Sequence, residues 1–170
     1  MMKELSLEAI NQSAPYTVLY VALTDDFMFR TDAGVELAIA FIEDDLIRSG
    51  ESYQLVISNV NNKQSPMDKK VRQTIFTIVQ EFFEKNEAAL LYICSTGDGR
   101  QLVRYRLFTH WYDRFEYAVK YTCLTTVMTD MNGIPNAATV FVRNDNPKLA
   151  ELMSEFNQTA TILRQKPAEE

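Results

Sequence analysis

Apolar and polar residues alternate in the first third of the chain. Residues 35–41 place their largest apolar side chains at every second position, and residues 53–57 repeat this pattern. Residues 16–23 are rich in β-forming types. A period of two is typical of half-buried strands, and acidic, turn-forming stretches separate the three runs. The pattern therefore predicts three strands joined as an antiparallel meander.

The period changes to that of a helix near residue 65. Ser65 is a candidate N-cap, Pro66 suits the first turn, and Asp68 completes a variant of the capping box. Asn86 is expected to end this helix in a left-handed conformation. The apolar residues that share one helical face are Met67, Val71, Ile75, Ile78, Val79 and Phe82.

The second half of the chain continues with mixed elements. Residues 88–94 are apolar on both faces, as in a central strand, and a glycine-containing turn at residues 97–99 leads into a predicted helix ending near Arg114. Residues 115–129 and 137–143 are expected to form a hairpin.

A last amphipathic helix is predicted after Asn146-Pro147, which repeats the signal of a cap followed by proline. The resulting order, β-β-β-α-β-α-β-β-α, contains too few βαβ crossovers for a doubly wound sheet. We therefore predict an α+β fold with a mostly antiparallel sheet and helices packed over it. The expected organisation is an N-terminal extension at residues 1–14, a single domain at 15–160 and a polar tail at 161–170.

The net charge of the chain limits the kinds of molecule that it is expected to bind. The 170 residues include 17 basic and 23 acidic side chains, for a formal charge of −6 and a pI near 4.9. This balance opposes binding to nucleic acid or to an anionic membrane surface. The start of the chain lacks the apolar block of a signal peptide, and no apolar run is long enough to span a bilayer. A soluble, cytoplasmic protein is expected.

Candidate chemistry centres on the turn at residues 95–99 and the helix after it. Unpaired N–H groups at a helix start attract anions, but Asp98 would cap these donors itself and repel a phosphate. The helical period places Arg100, Arg104 and Trp111 on the apolar face. Burying a guanidinium is costly unless hydrogen-bond acceptors or a negative charge compensate it. Arg104 is therefore expected to contact a carboxylate, backbone carbonyls or a bound anion.

Two interpretations of Arg104 stay open. In one, the guanidinium stacks on an aromatic ring or forms an internal ion pair. In the other, Asp98, Arg100, Arg104 and Trp111 line a recess for a small anion. The candidate internal partners are Asp25, Asp26, Asp32, Glu81 and Asp98.

The sequence gives little support for a catalytic site or a metal-binding site. His110 is the sole histidine, so a histidine-rich metal site is impossible, and it projects away from the apolar face. Cys94, at the end of a buried strand, is expected to be core. We therefore predict no catalytic residue, no metal and no cofactor.

The chain resembles an uncharacterised bacterial family, the domain of unknown function 6169. The resemblance covers about residues 15 to 157, and its most specific part is the segment from Asp98 to Trp111. It implies a compact bacterial α+β domain and brings no activity or ligand. The residues that carry it are Pro15-Tyr16, Thr31-Asp32-Ala33-Gly34-Val35, Thr74-Ile75, Glu81-Phe82-Phe83-Glu84-Lys85-Asn86, Tyr92-Ile93-Cys94-Ser95-Thr96-Gly97-Asp98-Gly99-Arg100-Gln101, Arg104, Leu107-Phe108, Trp111, Asn146-Pro147 and Phe156.

These observations favour a small non-enzymatic module that binds a protein partner or a second copy of itself, because edge strands of an antiparallel sheet offer contact surfaces. The alternative is an enzyme or binder for a small anionic or nucleotide-like ligand at residues 97–104. In that alternative the two arginines clamp the ligand, Asp98 or His110 transfers a proton, and Cys94 is the candidate nucleophile.

Overall fold

The structure, a computed structural model, describes residues 2–63, 68–94, 118–129 and 135–165. Within these residues no helix is long and apolar enough to cross a membrane. In chain order the elements are α1 (Leu7–Ser13), β1 (Leu19–Val21), β2 (Asp26–Arg30), β3 (Glu36–Glu43), β4 (Ser52–Asn59), α2 (Lys69–Lys85), β5 (Ala89–Cys94), a 3₁₀ turn (Ala118–Lys120), β6 (Tyr121–Thr129), β7 (Pro135–Arg143) and α3 (Leu149–Gln165).

The fold is α+β, as the sequence predicts. The seven strands belong to one sheet, in the order β1-β2-β3-β4-β5-β7-β6. Two elements near the start differ from the prediction. Residues 16–30 contain two short strands, β1 and β2, where one was expected, and helix α1 lies within the predicted N-terminal extension. The helix predicted to end near Arg114 lies outside the described residues.

The contacts divide the chain into two compact units. The first comprises Met1–Ile42 with Leu55–Glu87, and the second comprises Glu43–Gln54 with Ala88–Glu170. Strand β4 contributes residues to both.

In the first unit, β1 pairs antiparallel with β2, and β2 pairs antiparallel with β3. The predicted meander placed residues 16–23 directly beside residues 35–41, and this was wrong because the unpredicted strand β2 lies between them. The predicted apolar face of α2 is buried, including Val71, Ile75 and Phe82. The ring of Phe82 stacks on that of Phe41 of β3, with centroids 4.7 Å apart. Burial of these large side chains is the main stabilising contribution to the unit.

The caps at the two ends of α2 differ from the predicted ones. The helix begins at Lys69, and its N-cap is Asp68, whose Oδ1 accepts a hydrogen bond from the Val71 N–H at 2.7 Å. Ser65 lies outside the described residues. Asn86 does end the helix, but its φ of −128° is extended, so the left-handed conformation was wrong. Its buried side chain donates to the Phe82 carbonyl and accepts from the Lys3 N–H, which satisfies the helix end without a left-handed turn.

In the second unit, β7 pairs antiparallel with both β5 and β6, which confirms the predicted hairpin and the central position of β5. Helix α3 packs on β6 and β7. Asn146 precedes α3, and its Oδ1 accepts from the Lys148 N–H at 2.9 Å, as its cap signal predicts. The core cluster of this unit includes Leu91, Val140, Leu152 and Phe156.

Glu155 of α3 holds the loop between β3 and β4. Its carboxylate accepts hydrogen bonds from the backbone N–H groups of Arg48 and Ser49, each at 2.8 Å, and from the Ser49 hydroxyl. Burial acts to raise the pKa of Glu155, but these hydrogen bonds outweigh it and hold the pKa below its ordinary value. The charged carboxylate is thus the form that stabilises this loop.

Candidate functional site

The predicted site residues, Asp98, Arg100, Arg104 and Trp111, lie outside the described residues, and so does His110. The anion recess and the internal ion pair of Arg104 therefore both stay predictions. Cys94 ends β5, but its side chain lies outside the described part.

Four of the acidic residues considered as partners for Arg104 have contacts within the first unit. The contacts of the three aspartates are of the type expected for residues in or beside turns, whereas Glu81 is buried within α2. Asp25 accepts from the Tyr20 hydroxyl at 2.6 Å, Asp26 accepts from the Thr24 hydroxyl at 3.0 Å, Asp32 pairs with Lys70 at 3.2 Å, and Glu81 pairs with Lys85 at 3.8 Å.

A polar cluster in the first unit surrounds the buried side chain of Tyr16. The Tyr16 hydroxyl donates to Oδ2 of Asp68 at 2.9 Å, and it lies 3.5 Å from Oδ2 of Asp32. The Lys70 ammonium pairs with Asp32 and lies 5.7 Å from the centre of the Tyr16 ring. The cluster thus joins the segment before β1, the turn between β2 and β3, and the start of α2.

Local chain geometry places the members of the cluster. The turn from β2 to β3 is closed by Thr31, whose hydroxyl accepts from the Val35 N–H at 3.1 Å, and by Gly34, whose φ of +82° favours glycine. The Tyr16 N–H donates to the Thr74 hydroxyl of α2 at 3.3 Å. Asp32 follows Thr31 in that turn and so reaches the hydroxyl of Tyr16.

The pKa values of Tyr16 and Lys70 favour the ordinary protonation states of these two side chains. Burial raises the pKa of Tyr16, and the hydrogen bond to Asp68 raises it further. The hydrogen bond to Asp32 raises the pKa of Lys70. At neutral pH the phenol therefore stays protonated and the amine stays charged, so neither acts as a general base. The cluster is a set of mutually satisfied donors and acceptors.

Sequence reasoning missed this cluster, because its members lie in three segments that are far apart in the chain. The segment of Tyr16, the turn from Thr31 to Val35 and the first turns of α2 meet around one hydroxyl. Spacing within a single segment does not indicate such a meeting.

The hairpin of β1 and β2 exposes large apolar side chains. The exposed fractions are 62% for Leu19, 45% for Tyr20 and 96% for Leu23. We call these three residues the hairpin surface. They fall within five positions of the chain. The other exposed large apolar residues of the described part are Ile42, Leu46, Val56, Val60 and Val119, and Val119, which is 83% exposed, lies in the second unit. The β-forming residue types of residues 16–23 predicted a strand but not this exposure.

Carboxylates accompany the hairpin surface. The Tyr20 hydroxyl donates to Asp25, and this hydrogen bond, together with the charges of Asp25, Glu4 and Asp26, raises the pKa of Tyr20. The Tyr20 ring also packs on that of the buried Phe27, with centroids 5.3 Å apart. The ring of Phe27 fixes the position of the Tyr20 ring, and the carboxylates make the surroundings of Tyr20 negative.

Within the described residues no group of three or more His, Cys, Asp or Glu side chains could hold a metal ion.

Comparison with known proteins yields one match. A family model described as a family of unknown function, DUF6169, matches residues 67–158, which is more than half of the chain. This match contains the segment from Asp98 to Trp111 and begins after Tyr16 and Asp32. No curated protein and no solved structure matches the chain.

Proposed function

We propose a non-enzymatic, protein-binding function for this chain, which belongs to the DUF6169 family of unknown function. The observation that carries the proposal is the exposure of Leu19, Tyr20 and Leu23 on one hairpin. The bacterial origin and cytoplasmic location expected from the sequence belong to the same proposal.

Grouped apolar exposure supports binding on energetic grounds. Single exposed apolar residues are normal on protein surfaces, whereas contiguous groups of them mark interaction sites. Leu19 and Tyr20 follow one another in the edge strand β1 and lie on opposite faces, so a partner that binds around this edge contacts both. Burying a leucine side chain stabilises a complex by about 1.5–3 kcal/mol. Leu19 and Leu23 therefore offer a partner protein a substantial apolar contact, and the ring of Tyr20, held by Phe27 and Asp25, adds a rigid aromatic one.

The polar cluster supports the same choice over an enzyme. The carboxylates of Asp32 and Asp68 are bonded to Tyr16, Lys70 and the helix start, and the pKa values of Tyr16 and Lys70 are both raised, away from neutrality. Groups arranged in this way stabilise a fold.

Site-specific photo-crosslinking tests the proposal. A photoreactive amino acid is placed at position 23 of the full chain in its native host, and the products are separated by mass. Because this side chain is almost fully exposed, the replacement leaves the fold intact. We expect a discrete product joining the chain to a partner protein, and we expect Leu19→Ser in the same chain to reduce its yield severalfold.

The same photoreactive residue at position 119 is the matched control, because Val119 is also strongly exposed. Position 119 is expected to lack the product seen from position 23. The proposal is wrong if position 23 yields no product, or if both positions yield the same set of products.

A further inference from the structure

All charged residues in the stretch of chain that carries the hairpin surface are acidic. Residues 4–29 contain Glu4, Glu8, Asp25 and Asp26 and no lysine, arginine or histidine. The first basic residue after it, Arg30, stands at the opposite end of β2 from Asp26. An apolar group within such a stretch repels an acidic partner and attracts a basic one.

The contacts of Tyr20 place this charge beside the apolar group. Its hydroxyl lies 2.6 Å from Oδ1 of Asp25, and the carboxylates of Glu4 and Asp26 also act on the same hydroxyl. A segment that contacts Tyr20 therefore comes within reach of these carboxylates, and Asp25 follows Leu23 by two positions in the same turn.

We propose that the partner contacts the hairpin surface through a segment that combines apolar side chains with lysine or arginine. The inference rests on the proposed function and names the chemistry of its partner. The apolar side chains cover Leu19 and Leu23, while the basic groups pair with Asp25 and Asp26. Electrostatic attraction of this kind accelerates association and is screened by salt.

A pair of substitutions removes the charge and keeps the structure. Asp25 has a φ of 52°, a conformation that asparagine also tolerates well. Each aspartate accepts a hydroxyl hydrogen bond, from Tyr20 or from Thr24, that an asparagine oxygen can also accept. The double variant Asp25→Asn with Asp26→Asn is therefore matched to the wild type in shape and hydrogen bonding.

The test uses three synthetic peptides of equal length and the full-length chain. One peptide alternates leucine and lysine, one alternates leucine and glutamate, and one alternates serine and lysine. We expect the leucine–lysine peptide to bind most tightly by fluorescence anisotropy, and its affinity to fall as salt rises from about 20 mM to about 500 mM. The double asparagine variant is expected to weaken this binding about tenfold at low salt.

Two control variants show whether the hairpin surface is the site. Glu84→Gln with Glu87→Gln removes the same number of charges from exposed positions elsewhere in the first unit and is expected to change the affinity less than twofold. Leu23→Ser is expected to weaken binding of the leucine–lysine peptide severalfold.

The outcomes separate this inference from the proposed function. Equal binding of the leucine–glutamate and leucine–lysine peptides, both weakened by Leu23→Ser, overturns the basic partner and leaves the protein-binding function in place. Equal binding of the serine–lysine and leucine–lysine peptides shows attraction by net charge alone and overturns the inference. Absence of binding by the leucine–lysine peptide overturns it as well, and the crosslinking experiment then decides the proposed function separately.

Discussion

The Tyr16 hydroxyl is hydrogen-bonded to the Asp68 carboxylate that also caps α2. The buried phenol donates to Oδ2 of Asp68 at 2.9 Å, while Oδ1 of the same carboxylate caps α2 by accepting from Val71 at 2.7 Å. One carboxylate thus joins the segment before β1 to the start of a helix that follows more than fifty residues later. The position of that helix start depends on a contact that no local pattern contains.

The first prediction concerns this contact. Tyr16→Phe keeps the stacking on Phe29 but removes the hydrogen bond, and we expect the free energy of unfolding to fall by about 1.5 kcal/mol in urea denaturation. Asp68→Ala removes the helix cap as well and is expected to cost about 1–2 kcal/mol. Because the two residues share one bond, the double variant should lose less than the sum of the single losses.

Tyr20→Phe is the matched control for this cycle. It removes a similar bond to a carboxylate, that of Asp25, at an exposed position, where water replaces the lost partner, so the expected loss of stability is much smaller than that of Tyr16→Phe. Strict additivity of Tyr16→Phe and Asp68→Ala would show that the shared carboxylate does not couple the two segments.

The second prediction concerns pH and Glu155. Its pKa in the folded chain lies below the ordinary value of 4.5, so its contribution is complete above that value and is lost as the pH falls through the folded pKa. Near pH 7 we expect Glu155→Gln to be less stable than the wild type by about 1–2 kcal/mol, because the carboxylate accepts bonds from Arg48 and Ser49.

Urea unfolding of both proteins between about pH 7 and pH 3 measures this difference. The wild type should lose its advantage over Glu155→Gln below about pH 4.5, and not above it. Glu151→Gln, an exposed change on the same helix, controls for the altered net charge. An advantage that stays constant down to the lowest pH contradicts the role assigned to the charged carboxylate.

The third prediction concerns two threonines of the hairpin formed by β6 and β7. Thr126 is buried, and its hydroxyl is the one buried side-chain polar atom in the described part that lacks a hydrogen-bond partner. Thr126→Val removes this unpaired group while keeping the shape and the β-branched stem. We expect the free energy of unfolding to rise by about 1 kcal/mol.

Thr139 is the matched comparison on the neighbouring strand. Its buried hydroxyl lies 3.1 Å from that of Thr125, so Thr139→Val removes a satisfied bond and should lower the stability by about 1 kcal/mol. Thermal unfolding of the two variants should therefore move in opposite directions. A loss of stability in both would show that the Thr126 hydroxyl is paired in solution.

The accuracy of the sequence prediction varied with the kind of signal. The helical face of α2, the apolar strand β5 and the antiparallel pair β6 and β7 were all predicted, because each is written in a period or a run of local residues. Strand β2 was not predicted, since Asp26 at its start resembled part of a turn, although Phe27 and Phe29 alternate with Met28 inside it.

The candidate sites show more clearly what the sequence did not predict. Asp98, Arg100, Arg104 and Trp111 were chosen from one segment, because a helical face can be read from spacing within that segment. The Tyr16 cluster instead collects side chains from three segments, and the hairpin surface is defined by what does not cover Leu23. Neither the composition of the cluster nor the exposure of Leu23 can be read from residues that are neighbours in the sequence.

The chain's pattern of apolar and polar residues was sufficient for its α+β class, the helical face of α2 and its acidic character, since these depend on composition and on periods of two or 3.6 residues. The folded chain decided that Asp68 rather than Ser65 caps α2, that Asn86 ends it in an extended conformation, and that Leu19, Tyr20 and Leu23 stay exposed. Caps and exposure depend on which distant groups arrive at a position, and only three-dimensional packing determines that.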